Sequence, residues 1–522
     1  MTGRALGRSA ALAVPALLWL SMGGCGVQAD PDTTDDGARV GSRWQQIRPT
    51  DGTGWNGNGY GIPAKSYDPP GGHFRVFYVE SGENAVDLAD EAPKNGVPDF
   101  VELVGASAEA TYASTIVQRG FRAPLDDSIY HDRPDYGGDG RYDIYLRLSG
   151  AGSDGYRVSE VCTDGTPTTG GGSPGRCAGY FVMNPGYKNS HYPSERDGVE
   201  VLTSHELFHS VQDAYSAGQW RTWTEGSAVW NELQVFPSSV GTWKDYLGFV
   251  PAFFREPERP FDQSMGSGPA AAYAYGAAVW AEYLSERFGP AIVRQIWERL
   301  EQPVGGTVPH FLDVTDALLQ TRGTDLKQAW IEFTRWNLQT RERATTGQGY
   351  QRAAEYPSVR FESDLPQADS ATEKDYFGLS ARYFRLRAEA TKTVYVSRMD
   401  PLGEDGSTLS GLLVDSKGKP RGGLVTLDPR QGIALTGGEE LLIAVTAHTR
   451  GAKARRIGLI LSSRPPDEPA MVPPQGGCSA ARSSSAASST SPTVLALLLF
   501  GFAYLVRRSS RLAASDVGPR RR

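Results

Sequence analysis

Two textures of apolar spacing divide the chain between about residues 73 and 463. In the first, His73-Phe74-Arg75-Val76-Phe77-Tyr78-Val79 reads as a strand, 98–118 as a helix, 141–148 as a half-buried strand and Tyr180-Phe181-Val182-Met183 as another strand. Val201, Leu202, Phe208 and Val211 then recur at roughly helical spacing behind the acids Asp197 and Glu200. This predicts a helix that runs to about Tyr215 and stops before Gly218. Apolar periodicity predicts further helices over 270–287, 290–300, 311–319 and 326–338. A few strands followed by helices give an α+β fold over 72–345.

From about Tyr350 the pattern shortens to alternating runs at 383–387, 393–397, 441–445 and 457–461, split by Gly, Pro and Asp turns. They predict a smaller all-β sandwich over 350–463, serving substrate binding, surface binding or packing against the preceding unit; fold alone does not choose. The ends read differently. Arg4, Arg8 and the apolar run from Ala10 to Leu20 mark 1–29 as an export signal, cleaved after Ala29 or lipidated at Cys25. Residues 30–71, rich in Asp, Thr, Gly and Pro, are expected to be a linker or short pro-region, and 464–492 a Pro/Ser-rich linker. The apolar segment 493–506 spans about 21 Å as a helix, short of a hydrocarbon core of roughly 30 Å. With the basic tail at 507–522 it reads as a sorting or anchor signal that leaves the body of the protein outside.

Composition adds two constraints. A formal charge of −7 gives no sign of a nucleic-acid partner. Of four Cys, Cys25 and Cys478 go with the terminal signals, so Cys162 and Cys177, which bracket a Gly/Thr/Pro-rich loop, are expected to pair in an oxidising compartment.

The candidate chemistry lies in His205-Glu206-Leu207-Phe208-His209, an H-E-x-x-H pattern. Histidines four apart share one face of a helix and can reach one ion, while the Glu beside the first points to the side, where it can deprotonate a metal-activated water. With seven His in the chain, chance would produce the pattern in well under ~1% of shuffled sequences. The longer pattern that adds a Gly and a third His fails, since Gln212 and Tyr215 stand at those positions. Asp213, eight residues past His205, lies about 12 Å along the same helix. Glu225, in Trp223-Thr224-Glu225-Gly226-Ser227-Ala228-Val229-Trp230, is the surviving third ligand if a turn and a second helix return it to the first, with Glu232 as the alternative. Gly226 and Ala228 would let the two helices approach closely.

His-Glu-Leu-Phe-His-Ser-Val-Gln-Asp-Ala-Tyr followed by Trp-Thr-Glu-Gly-Ser-Ala-Val-Trp-Asn-Glu resembles the gluzincin class of zinc metallopeptidases and, more narrowly, a family of secreted myxobacterial metalloproteases. The core of the likeness covers 205–232, with a looser match over 73–341. It implies a zincin-like catalytic domain, Zn2+ held by His205, His209 and Glu225, and Glu206 as general base. Two departures stand out. Glu225 follows His209 by 16 positions, fewer than in the best-known members, and Val229 occupies the place where an Asp often supports the first His, leaving Asn231 or Glu232 as substitutes. Tyr phenols serve as oxyanion donors in some gluzincins; Tyr273 and Tyr275 are the candidates here, with Tyr275 the expected catalytic partner and aromatic packing the competing role. The Gly-Gly-Cys, spacer, short apolar run and Arg cluster at the C-terminus resemble the myxobacterial sorting tail, implying attachment to the cell envelope or release after processing.

These expectations converge on an exported endopeptidase acting on protein or peptide substrates. A surface adhesin on the same scaffold, or a zinc hydrolase of a non-peptide bond, are the alternatives. Two acidic loops, Asp87, Asp90, Asn95 and Asp99, and Asp132, Asp135, Asp139 and Asp143, offer oxygens at alternate positions as structural Ca2+ requires, though without EF-hand spacing. Solvated turn acids are the preferred explanation. The lone histidines His131, His191 and His310 are expected to be surface or core residues.

Overall fold

The computed structural model describes residues 48–50, 59–126, 137–150, 153–162, 175–188, 190–217, 219–238, 245–262, 271–301, 308–451 and 453–466. The expected export signal, Cys25, most of the 30–71 segment, His131, Asp132, Asp135 and everything from 467 on, including Cys478 and the sorting tail, lie outside them.

Five strands make the first sheet, in the order β1 (Lys65–Tyr67), β2 (Phe74–Tyr78), β3 (Tyr142–Leu146), β5 (Cys177–Met183) and β4 (Gly155–Cys162). β2, β3 and β5 run parallel, while the outer strands β1 and β4 are antiparallel to their neighbours. Alternation turns Phe74, Val76, Ile144, Leu146, Phe181 and Met183 toward the helices. Tyr145, Tyr180 and Val182 face the other way. All five residues of β3 are buried, against the half-buried strand expected. The reason is that the second face is covered too: Tyr60 donates its hydroxyl to the carbonyls of Phe77 and Leu146 at 3.1 Å. Arg48 reaches Asp143 and, at 2.7 Å, Glu160. Part of a stretch read as linker thus belongs to the core. β4 was not expected; its end is joined to β5 by the Cys162–Cys177 disulfide, as the spacing predicts.

Helix α1 (Asp99–Tyr112) continues through a π-helical turn to Gln118. α2 (Glu195–Asp213) begins at Ser194, whose Oγ accepts from the Asp197 amide at 3.1 Å, with Glu195 and Asp197 placed to favour the helix dipole. From Asp197 on, every α2 residue except Glu200 is buried. A helix covered all round needs no single apolar stripe, which is why its periodicity is faint. α3 (Arg221–Val235) returns antiparallel to α2. Next come α4 (Asp245–Arg255), unexpected because Pro251 lies inside it, then α5 (Ala271–Gly276) and α6 (Ala278–Phe288). The single helix expected over 270–287 is broken at Ala277. Gly226 does not bring α3 to α2 as expected; a Cβ there would stand 3.0 Å from the Ala277 carbonyl carbon, so it makes room for this α5–α6 turn. α7 (Ala291–Leu300), α8 (Phe311–Gln320) and α9 (Leu326–Trp336) follow their expected spans closely.

Two further sheets form the sandwich. β6 (Phe361–Asp364), β8 (Ser380–Arg387), β10 (Ser407–Val414), β11 (Val425–Thr426) and β13 (Glu440–Ala447) make one, in the order β11-β10-β13-β8-β6. β7 (Ser370–Tyr376), β9 (Lys392–Met399), β12 (Ile433–Leu435) and β14 (Arg455–Ser462) make the other, in the order β12-β9-β14-β7. Phe384, Val396, Ile443, Val445 and Leu459 fill the space between them. The opposite face of the first of these sheets, with Tyr383, Leu412, Leu442 and Ala444, joins the same core as the helices. Thr334 meets Thr446 across this seam at 2.7 Å, and the Phe261 amide donates to the Leu379 carbonyl at 2.8 Å. The architecture is mixed α and β with a sandwich that shares its core. Among the described residues, no helix is long and apolar enough to cross a membrane.

Candidate metal centre

The α2–α3 hairpin brings the separated parts of the motif together. His205 and His209 lie one turn apart on α2, and antiparallel α3 sets Glu225 opposite them. The two Nε2 atoms are 3.0 Å apart, and Glu225 Oε2 is 3.4 Å from the first and 3.5 Å from the second. Zinc ligands at roughly 2.0–2.1 Å in a tetrahedron stand about 3.3–3.4 Å from one another, so the triangle has the size of three ligand corners. All three side chains are at most 3% exposed. Among the described residues this is the group of His, Cys, Asp and Glu able to hold a metal ion.

The surrounding hydrogen bonds orient the rings. His205 Nδ1 lies 2.6 Å from Glu232 Oε1, a carboxylate, so Nδ1 carries the proton and Nε2 the lone pair. His209 Nδ1 donates at 2.9 Å to Gln212 Oε1. The Gln212 amide nitrogen is committed to the Thr224 carbonyl at 2.8 Å and Ser227 Oγ at 3.2 Å, which fixes its orientation. Three acceptors therefore converge with no donor among them. Oε2 of buried Glu225, the oxygen turned to the rings, has no hydrogen-bond donor, a costly arrangement that a cation at the centre resolves. Electrostatics agree. Burial works against a charged imidazole at 205, yet Glu225 and Glu232 outweigh it and raise its affinity for a proton well above that of an ordinary His. Burial likewise opposes the Glu225 carboxylate, but the two imidazoles hold it far below the usual carboxylate range. A field that draws a proton in this way draws a metal cation too.

Glu206 stays out of the triangle. It is buried beside Gly155 of β4, and its Oε1 has no hydrogen-bond donor. The two tyrosines separate. Tyr273 stacks on Phe253 at 4.8 Å and donates its hydroxyl to the Arg259 carbonyl, a packing role. Tyr275 stacks on His205 with centroids 5.8 Å apart and on Phe249 at 4.8 Å, at the edge of the centre. Glu232 is the partner of His205, while Asn231 donates to the Ser204 carbonyl at 3.1 Å. Asp213 binds Arg157 and Ser159 instead of the centre.

Two participants were missed in the sequence, Gln212 and Arg221. Gln212 sits three residues after His209 on the same helix. Arg221 sits four before Glu225, with Nε 3.3 Å from Glu225 Oε1. Of the acids considered for calcium, Asp90 accepts from the Asn95 and Gly96 amides and Asp99 from those of Glu91 and Ala92. Asp139 pairs with Arg75 and Arg141, and Asp143 with Arg48. His191 faces Asp154 at the surface, and His310 caps α8 through the Leu312 amide.

The fold and the centre together define a mixed α and β protein with a buried two-histidine, one-glutamate group able to hold a metal ion. No protein-family model matches the chain. No curated protein matches it. Among solved structures, the chain is similar to the pre-peptidase C-terminal domain of a collagenase from Bacillus anthracis, at 12% identity and a TM-score of 0.15, over 20% of this chain and 97% of that one. It is also similar to a family GH115 4-O-methyl-alpha-glucuronidase, at 12% identity and a TM-score of 0.12, over 66% of this chain and 54% of that one. Likenesses this slight carry no argument about fold or chemistry.

Proposed function

We propose that the chain is an exported zinc-dependent endopeptidase of the gluzincin type, with a zincin-like catalytic domain over 72–345 and Zn2+ held by His205, His209 and Glu225. One observation carries the reading: three buried acceptors converge at tetrahedral spacing beside a fourth group, Glu206, that takes no part in the triangle. Two imidazoles and a carboxylate suit zinc and leave a fourth position open. When bound, zinc supplies a Lewis acid that polarises a carbonyl and lowers the pKa of water.

The chain's own residues supply the rest. Glu206 Oε1, with no donor of its own, takes the proton of the attacking water and returns it to the leaving amine. Glu232 and Gln212 hold the two rings with Nε2 inward. Gly155 belongs to the outer strand of the first sheet and abuts Glu206, so a peptide lying extended along that edge brings its carbonyls past the base. Tyr275, stacked on His205, serves as donor to the developing oxyanion. Export and attachment to the envelope rest on segments 1–29 and 493–506 of the sequence.

The test is metal analysis of the purified full-length chain together with cleavage of casein, with and without a chelator. One zinc per chain and chelator-sensitive cleavage are expected. A zinc-replete chain that leaves casein and envelope proteins intact would sink the protease reading.

A further inference from the structure

Arg221 occupies the first turn of α3, four residues before Glu225. For the helix alone this is a poor position. A guanidinium there meets the positive end of the helix dipole, and a basic residue four before an acid is the weaker order of ion pair. No acidic residue in that turn offsets it. Yet the side chain is drawn inward, 26% exposed, with Nε 3.3 Å from Glu225 Oε1, and its guanidinium also engages the Tyr275 phenol. Glu225 Oε2 meanwhile lies 3.4 and 3.5 Å from the two imidazole Nε2 atoms. The oxygens of one carboxylate are divided, one facing a cation supplied by the protein and the other facing the histidines.

We propose that Arg221 is a positioning residue that keeps Glu225 a one-oxygen ligand, so that a coordination position stays available for water or substrate. The inference rests on the metal-dependent reading above. A carboxylate free to pivot can give both oxygens to a divalent ion and fill the position that hydrolysis needs. A guanidinium on Oε1 draws that oxygen's lone pairs and charge away from the metal, and Glu225 Oε2 alone is left to donate. By engaging Tyr275, the same guanidinium links the ligand carboxylate to the phenol stacked on His205.

The experiment uses the full-length chain loaded with Co2+, whose visible spectrum reports coordination number, in wild-type, Arg221→Ala, Arg221→Gln and Arg221→Lys forms. Metal content, spectrum, kcat and KM are measured on each. Arg221→Ala is expected to keep one metal per chain, to lose visible band intensity as the ion gains a ligand, and to lose about 10–100-fold in kcat with little change in KM. Arg221→Lys, which restores a cation, recovers part of both. A wild-type spectrum and kcat in Arg221→Ala would overturn the inference and leave the metalloenzyme reading standing. Should the Ala variant fail to fold, a wild-type spectrum in Arg221→Gln overturns it equally. A wild-type chain that takes up no metal removes the metalloenzyme reading and this inference with it.

Discussion

Two clusters of buried charge lie on opposite faces of the first sheet, and they differ in where their polar atoms point. In one, Arg48 turns Nη1 to Asp143 and Nε and Nη2 to Glu160, with all three side chains at most 2% exposed. Donors and acceptors look at each other. In the other, His205, His209 and Glu225 present acceptors to a common point, Glu206 Oε1 stands beside them without a donor, and Arg221 is the cation that reaches the group. Depth of burial does not distinguish the two. A charge cluster closed on itself ties distant segments together, whereas one with converging unmatched acceptors is built to receive something.

The strongest way to break this contrast is Glu206→Gln. It is expected to leave zinc content unchanged while lowering kcat by about 10²–10⁴-fold, read by metal analysis and peptide hydrolysis on the same preparation. Full activity in a zinc-replete Gln variant ends the role assigned to Glu206. Next comes the closed cluster. Arg48→Met leaves two buried carboxylates facing each other and should cost about 3–5 kcal/mol in denaturant unfolding, with zinc content and kcat of the folded protein unchanged. A loss of activity at unchanged stability would exchange the roles of the clusters. Glu232→Gln sharpens the comparison within the metal centre: removing the anion behind His205 should weaken zinc by about 10–100-fold, more than Gln212→Ala, which removes a neutral acceptor behind His209. Competition with a calibrated chelator orders the two. The smallest effect concerns Glu282 on α6, a buried acid which burial and then neighbouring Glu286 push up to about 8, against a smaller opposing pull from Arg352. The folded state therefore holds this proton more tightly than the unfolded chain. Its stabilisation is fully present below the ordinary Glu range and is lost as pH rises through 8. Glu282→Gln should melt higher relative to wild type at about pH 9 than at about pH 5; equal differences at both would exclude this carboxyl as the source.

The sequence showed the centre better than its surroundings, for reasons of distance along the chain. His205, Glu206 and His209 share one helical turn, and Glu225 returns on the next helix through a short connection, so local spacing sufficed. Glu232 was recognisable two turns past Glu225. Gln212 left a signal, three residues after His209 on the same helix. Arg221 left another, a basic residue at the wrong end of a helix and one turn from Glu225. Both were overlooked because each is common on exposed helices. Helices α7 to α9 were legible from their apolar spacing and the sandwich strands from their alternation, whereas Pro251 hid α4. β4 mixes Arg157, Ser159 and Glu160 among its apolar residues because its side chains serve Asp213 on α2 and Arg48 beyond the other face. Nothing near Arg48 announces that it will be buried, since its partners lie 95 and 112 residues away.

Tyr273 on α5 packs on Phe253 of α4, Phe253 packs on Phe261, and the Phe261 backbone is bonded to the sandwich at Leu379. The C-terminal half is thus a wall of the same room that houses the histidines. A protein trimmed at residue 345 would lose that wall, and with it the Phe261–Leu379 and Thr334–Thr446 hydrogen bonds. Recombinant versions intended for metal analysis should extend at least to 466, and a shortened form that fails to bind zinc would be reporting a collapsed foundation, with no bearing on ligand chemistry.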